Sequence, residues 1–232
     1  MGQKLKILGI IAHWLFVLCL PLLLFSASIA GAFNSLWLYQ YGFEKYDISR
    51  VTGLSEAELV KAAAGLISYF NSSEADIDVT VIKDGEVFSL FNQREVAHLR
   101  DVKKLFWLDY RVLLGTLIYV SGFTLVRLFW WRDWRRLARV VVAGSSLTLA
   151  LMLALGMVIL LGFDWFFWQF HLLSFANDFW LLDPAHDYLV MLFPRGFWID
   201  AVRFIALAAT GVAIILDLAG LGHLLFNRDR RD

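Results

Sequence analysis

The chain has 232 residues, 59% of them hydrophobic and 18% charged, with 21 basic side chains balanced by 21 acidic ones and a mean hydropathy of +0.64. Apolar residues gathered in long runs exclude a water-soluble globular domain, the net charge of zero hides a basic inside and an acidic outside, and no nucleic-acid partner is expected. The single cysteine, Cys19, excludes an intramolecular disulfide or a cysteine metal cluster.

Taken in chain order, the first apolar run covers residues 7–31, long enough for the ~30 Å hydrocarbon core at ~1.5 Å rise per residue. Its basic start and the small residues Ser28 and Ala30 also fit a cleavable signal peptide. The run exceeds the ~7–15 residues of a signal h-region, however, so a retained span ranks first. Cys19 inside it reads as a buried, inert thiol. Residues 32–108 form the one sizeable polar region and read as a small α+β domain. Ser55 followed by Glu58 is a capping-box signature for a helix ending near Asn71, Ser72 and Ser73. The stretch I-D-V-T-V-I-K-D-G-E-V-F-S-L-F alternates at period two around Asp84-Gly85, a hairpin signal, and so short a hairpin must lean on the helix, the spans or the membrane surface. From Arg94 a helical pattern runs without Pro or Gly towards a second span at 109–131. A third span at 138–162, a loop at 163–198 and a fourth span at 199–225 complete the predicted four-helix membrane bundle.

Basic residues set the expected orientation: Lys4 and Lys6 before span one, Arg132, Arg135, Arg136 and Arg139 between spans two and three, and Arg228, Arg230 and Arg231 after span four. Both termini are therefore expected in the cytoplasm. The 163–198 loop, with Asp164, Asp178, Asp183 and Asp187 against Arg195, is expected outside. Arg127, Asp217, His13 and His223 fall near the cytoplasmic ends, where snorkelling or an Arg127–Asp217 pair would satisfy them. Glycines 115, 122, 144, 156 and 162 read as helix-packing positions.

Two polar segments then stand out, each just outside a span on the same expected side. In R-E-V-A-H-L-R-D-V-K, His98 shares a helix face with Arg94, Glu95 and Asp101, so a carboxylate could fix its tautomer. A solvated face of ordinary ion pairs is the plainer alternative. In F-H-L-L-S-F-A-N-D-F-W-L-L-D-P, followed by D-Y-L-V-M-L-F-P, His171, Asn177, Asp178, Trp180 and Asp183 crowd among aromatics. An interfacial aromatic belt with capping Asp and Asn residues would look the same. Asp183-Pro184 and Phe193-Pro194 mark turns, and His186 reads as a surface histidine.

These segments, their order and the four-span topology resemble the bacterial lipoprotein intramolecular transacylases over essentially the whole chain. The resemblance implies an integral membrane acyltransferase at the outer face of the bacterial cytoplasmic membrane. Its reaction would move the sn-2 acyl chain of an S-diacylglyceryl-cysteine lipoprotein to the α-amino group of the same cysteine, giving the lyso form. Catalytic histidines would map onto His98 and His171, with diacylated lipoproteins as substrate and no cofactor or metal. No P-loop, dinucleotide fingerprint, G-x-S-x-G elbow or H-E-x-x-H pair is present in the sequence.

Such chemistry needs a base, an acid and an oxyanion donor. The expected assignment makes His98 the base, oriented by Glu95 or Asp101, and His171 the acid, backed by Asp183, although the two roles could be reversed. Arg94 and Asn177 are further donors, while Phe170, Phe175 and Trp180 would cradle acyl chains. The alternatives are a same-fold enzyme for another lipid ester, a transport component, or a non-enzymatic membrane protein that meets an envelope partner through residues 32–108.

Overall fold

The structure, a computed structural model, describes residues 2–226, with side chains from Lys6 onward. Arg228, Arg230, Arg231 and the side chain of Lys4, used above for orientation, lie outside what is described. The elements are helices α1 (Gly2–Phe33), α2 (Leu36–Lys45), α3 (Ile48–Thr52) and α4 (Glu56–Asn71), then strands β1 (Thr80–Lys83) and β2 (Glu86–Ser89). Helices α5 (Gln93–Leu125), α6 (Trp134–Ser174), α7 (Tyr188–Leu192) and α8 (Arg195–Phe226) follow. A π-helical turn, Val126–Trp130, extends α5.

Four helices are long and apolar enough to cross a membrane: Lys6–Phe33, Gln93–Trp130, Trp134–Ser174 and Arg195–Phe226. Large apolar side chains on them stay uncovered by protein, Leu160 and Leu161 more than four-fifths exposed, and such surface is stable only against lipid. The protein is a multi-pass membrane protein. At 38 residues, α5 with its π turn spans about 57 Å, well beyond the ~30 Å core. Its first turns hold Arg94, Glu95, Arg100, Asp101, Lys103 and Lys104, a density of charge that keeps them outside the hydrocarbon.

The chain divides into two compact units. One comprises residues 1–29, 109–161 and 205–232; the other comprises 30–108 and 162–204. The first unit is the apolar bundle. Phe16, Val17 and Leu20 of α1 pack with Leu137 and Val140 of α6, and Gly144 lets Leu20 sit against the α6 backbone. Pro21 is accommodated within α1. The expected Arg127–Asp217 pair does not form. Arg127 Nη1 lies 3.7 Å from Asp133, while Asp217 Oδ1 accepts from the Ser145 and Ser146 hydroxyls at 2.8 and 3.0 Å. Two hydroxyls within hydrogen-bond reach satisfy that carboxylate without a long side chain crossing the bundle. Cys19 is partly rather than fully buried on α1.

The second unit holds α2, α3, α4, the hairpin, the start of α5, the end of α6, α7 and the start of α8. Its core is built on Leu38, Ile48, Leu54, Leu66, Val81, Leu90, Leu192 and Phe197. β1 and β2 pair antiparallel with Lys83 opposite Glu86. Asp84 and Gly85 both take positive φ, 54° and 85°, as the two-residue hairpin turn demands. Ser55 caps α4 by accepting from Glu58 N at 3.4 Å. The Glu58 carboxylate accepts from Ile82 N at 3.0 Å, so the anticipated capping box opens and ties helix to hairpin instead.

Three features depart from the sequence reading. Residues 36–52, given no element of their own within the expected α+β domain, form α2 and α3, with α2 held by aromatic packing such as Tyr39 against Phe193 and Phe197 and with Gly42 admitting the Phe197 ring against its backbone. The segment expected as loop from residue 163 stays helical to Ser174, following an extended residue at Gly162 (φ −179°, ψ 79°). Phe163 and Phe167, one turn apart, stack at 5.6 Å and support that extension. α8 begins at Arg195, four residues before the expected span, because Pro194 offers its carbonyl to Phe197 N at 2.9 Å and starts the helix.

Candidate active site

The second unit brings the two sequence-selected histidines together. His98, on the second turn of α5, and His171, on the last turn of α6, face each other at 6.1 Å between ring centroids with planes 28° apart. Both are 7% exposed. The edge of Phe175 meets His98 at 5.0 Å, while Phe167 and Trp180 flank His171 at 4.3 and 4.9 Å. Phe170 packs edge-on to His171 at 5.5 Å and is itself largely exposed, so the pair sits within an aromatic wall whose outer side is apolar.

The hydrogen bonds around the pair differ from the expected ones. His171 Nδ1 lies 2.7 Å from the carbonyl oxygen of Phe167, one turn back on α6. A carbonyl only accepts, so Nδ1 carries the proton, and in the neutral ring Nε2 keeps its lone pair. Asp183, expected behind His171, is engaged elsewhere: it accepts from Ala185 N at 2.9 Å and pairs with the exposed His186 at 2.7 Å. The Pro184 turn folds the chain back on itself there, so the Asp183 carboxylate meets its near neighbours first.

No carboxylate orients His98 either, and its Nδ1 is buried without a hydrogen-bond partner among the described residues. Glu95, a candidate orienter, is 1% exposed and structural. Its carboxylate accepts from Asn92 N at 2.7 Å, while the Asn92 side-chain oxygen accepts from Glu95 N at 3.1 Å, a reciprocal cap on α5. The second Glu95 oxygen accepts from Leu189 N at 2.6 Å and fastens α7 to α5. Asp101, the other candidate, accepts from Asn177 Nδ2 and from Lys104 Nζ, both at 2.8 Å. Arg94 Nη2 donates to the carbonyl of Asp178 at 2.8 Å. Arg94, Asp101 and Asn177 thus clip the 177–178 turn onto α5 on the side where His171 meets His98. Asn92 and Asp187 were missed. Asp187 is buried, accepts from Asn92 Nδ2 at 2.7 Å and from Asp183 N at 2.6 Å, and so joins the two polar segments. The N-x-x-E spacing of Asn92 and Glu95 is a legible capping signature, whereas nothing local announces Asp187.

Burial, with the neighbouring His171 adding to it and Asp101 opposing it, pulls the His98 imidazole down to about 4. His171 is likewise held below its usual range by burial, against the Phe167 hydrogen bond. Burial pushes the Glu95 carboxyl up, opposed by the N–H groups of Leu189 and Asn92. Both imidazoles are therefore neutral at neutral pH. An unfolded histidine protonates near 6.5, so on acidification the unfolded chain takes up a proton that folded His98 refuses until about 4. The stability His98 contributes is complete above 6.5 and is lost as pH falls from 6.5 to about 4. Thermal unfolding at pH 7 and pH 5 in one detergent should show a fall in Tm that is smaller for His98→Gln.

Among the described residues, no three His, Cys, Asp or Glu side chains converge as metal ligands would. The geometry offers instead one lone pair with a fixed tautomer, a second neutral imidazole facing it, and an apolar approach. These are parts suited to moving a proton within a dry site.

Comparison with known proteins agrees over the same stretch. A protein from Aquifex aeolicus (strain VF5) described only as uncharacterized is 23% identical over 208 residues, covering 88% of this chain and 91% of its own. The membrane integral lipoprotein intramolecular transacylase Lit from Bacillus cereus superposes with a TM-score of 0.79 at 21% identity, covering all of both chains. A variant of it with one histidine replaced by alanine gives 0.76 at 21% identity, over 99% of this chain and all of the other. The family model described as lipoprotein intramolecular transacylase Lit matches residues 14–198, spanning both histidine segments. By that match the chain belongs to the lipoprotein intramolecular transacylase Lit family.

Proposed function

We propose that this protein transfers the sn-2 acyl chain of an S-diacylglyceryl-cysteine lipoprotein to the α-amino group of the same cysteine, with His98 and His171 as the reacting pair. The observation that carries the reading is the buried, facing arrangement of the two imidazoles, with His171 held in one tautomer.

The α-amine attacks the sn-2 ester carbonyl, forming a C–N bond and a tetrahedral oxyanion. His171 Nε2 takes the proton the nitrogen loses. The C–O bond to glycerol then breaks, and the same imidazolium returns that proton to the departing glycerol oxygen. Nothing is left over, so the product has the mass of the substrate, and a single histidine serves as base and then as acid. His98, neutral and facing His171, donates its N–H to the oxyanion. This reverses the roles read from the sequence, because it is His171 whose lone pair is prepared by a hydrogen bond. Holding amine and ester on one cysteine supplies effective molarity without a carrier.

The aromatic surface around His171, including exposed Trp165, Trp168, Phe170 and Phe179, suits acyl chains entering sideways from lipid. The basic residues Arg132, Arg135, Arg136 and Arg139 favour the cytoplasm for the α5–α6 connection, hence an extracytoplasmic face of the cytoplasmic membrane for the histidine pair.

The test is to express the chain in a bacterium whose lipoproteins carry free α-amino diacylglyceryl cysteines and to read N-terminal lipopeptides by tandem mass spectrometry. One acyl chain should move from glycerol to nitrogen at constant total mass. Unaltered diacyl termini, with the protein confirmed in the membrane, would sink the proposal.

A further inference from the structure

The basic end of the apolar bundle carries a feature that acyl transfer does not use. A cavity of about 410 Å³ is lined by His13 of α1 with Asp133, Arg136 and Arg139 at the start of α6. Its one carboxylate is already engaged. Asp133 caps α6 by accepting from Arg136 N at 3.0 Å, and its other oxygen lies 3.7 Å from Arg127. Arg127 is itself 4% exposed, sandwiched by the Phe123 and Trp131 rings at 5.1 and 4.3 Å, and its Nε is buried with no partner among the described residues. Neither Arg136 nor Arg139 forms an ion pair among the described residues. Two guanidiniums and an imidazole therefore line the hollow with a single carboxylate, which a third guanidinium, Arg127, already approaches, beside the N-terminus of a long helix whose dipole adds further positive potential.

A cluster of like charges round a hollow is unfavourable without an anion, and guanidinium forks match the oxygens of a phosphate. We infer that this cavity binds a phosphate group, held by His13, Arg136 and Arg139, and that the headgroup of an anionic phospholipid is its natural source. The cavity would then seat one lipid at the basic end of the bundle, on residues separate from the histidine pair.

Native mass spectrometry of the full-length protein in detergent, titrated with dioleoyl phosphatidylglycerol or dioleoyl phosphatidylcholine, tests this. Phosphatidylglycerol should be retained over phosphatidylcholine, and Arg136→Gln/Arg139→Gln should lower its retention about tenfold, the worth of one charge-assisted hydrogen bond. The charge-matched double variant Arg132→Gln/Arg135→Gln, whose side chains do not line the cavity, should bind as wild type does. A thermal shift with inorganic phosphate alone, absent from the Arg136/Arg139 variant and without any lipid preference, would also support the site while naming free phosphate as the source. Equal losses in the two double variants, or neither a lipid preference nor a phosphate shift, would overturn it. None of these readings depends on acyl transfer.

Discussion

His171→Gln should lower the rate of acyl migration by about 10²–10⁴-fold, the usual contribution of a positioned general base, with the protein still folded and inserted. Glutamine keeps a polar group of similar reach yet has no lone pair that can take and return a proton. The Phe167 carbonyl can still be met by the glutamine amide, so the fold loses little. His98→Gln should be the milder of the two, because an amide N–H can replace an imidazole N–H as an oxyanion donor, although less well placed. Conversion of a defined diacylglyceryl lipopeptide by purified protein, followed by mass spectrometry of N-acyl product, measures both. If the His98 variant proves the more damaged, the roles return to those read from the sequence. If neither variant slows migration, the pair is not the catalytic site.

Glu95→Ala should cost about 3–5 kcal/mol, because it strands the N–H groups of Asn92 and Leu189 in a buried place and removes the cap of α5. In thermal unfolding that is a Tm lower by about 10 °C for a chain of this size. Glu95→Gln should cost less, since one carbonyl oxygen can still serve one of the two donors. The important comparison is activity per folded molecule. A residue that orients His98 would lose activity on the Gln change with little loss of stability. The geometry argues for the opposite order, with Tm falling and the surviving folded protein still active.

Much of the architecture could be read from local patterns. Apolar runs of spanning length declared the four long helices, and Asp84-Gly85 between alternating segments declared the hairpin, because only that turn matches strand twist. Ser55 announced the start of α4, though Glu58 found a better donor across space than along its own chain. What failed was whatever depends on neighbours distant in sequence. α2 has modest helical periodicity and is held by Phe193 and Phe197, more than 140 residues away, while α3 packs on α7, equally remote in sequence. The continuation of α6 past Gly162 rests on an aromatic stack that looks like loop composition when read linearly.

At the site, residue types pointed to His98 and His171, and geometry brought them face to face. The carboxylates that sequence spacing placed beside them serve other bonds: Glu95 to backbone N–H groups, Asp101 to Asn177, and Asp183 to His186. Helical spacing gives a shared face, which brings groups near without deciding which hydrogen bond wins. A buried carboxylate goes first to donors that would otherwise be stranded.

The partner that fixes the His171 tautomer is a main-chain oxygen, not a side chain. No substitution at residue 167 short of one that breaks the helix can remove it, so alanine scanning would pass over the group that prepares the lone pair. A carboxylate orienter could be lost by a single base change. This one is inherited with the helix itself, and what position 167 must keep is an aromatic ring for the stack with Phe163 that supports those turns. Its failure mode is physical rather than genetic: should the last turns of α6 fray, the imidazole would lose its instruction while every residue of the site remained in the sequence.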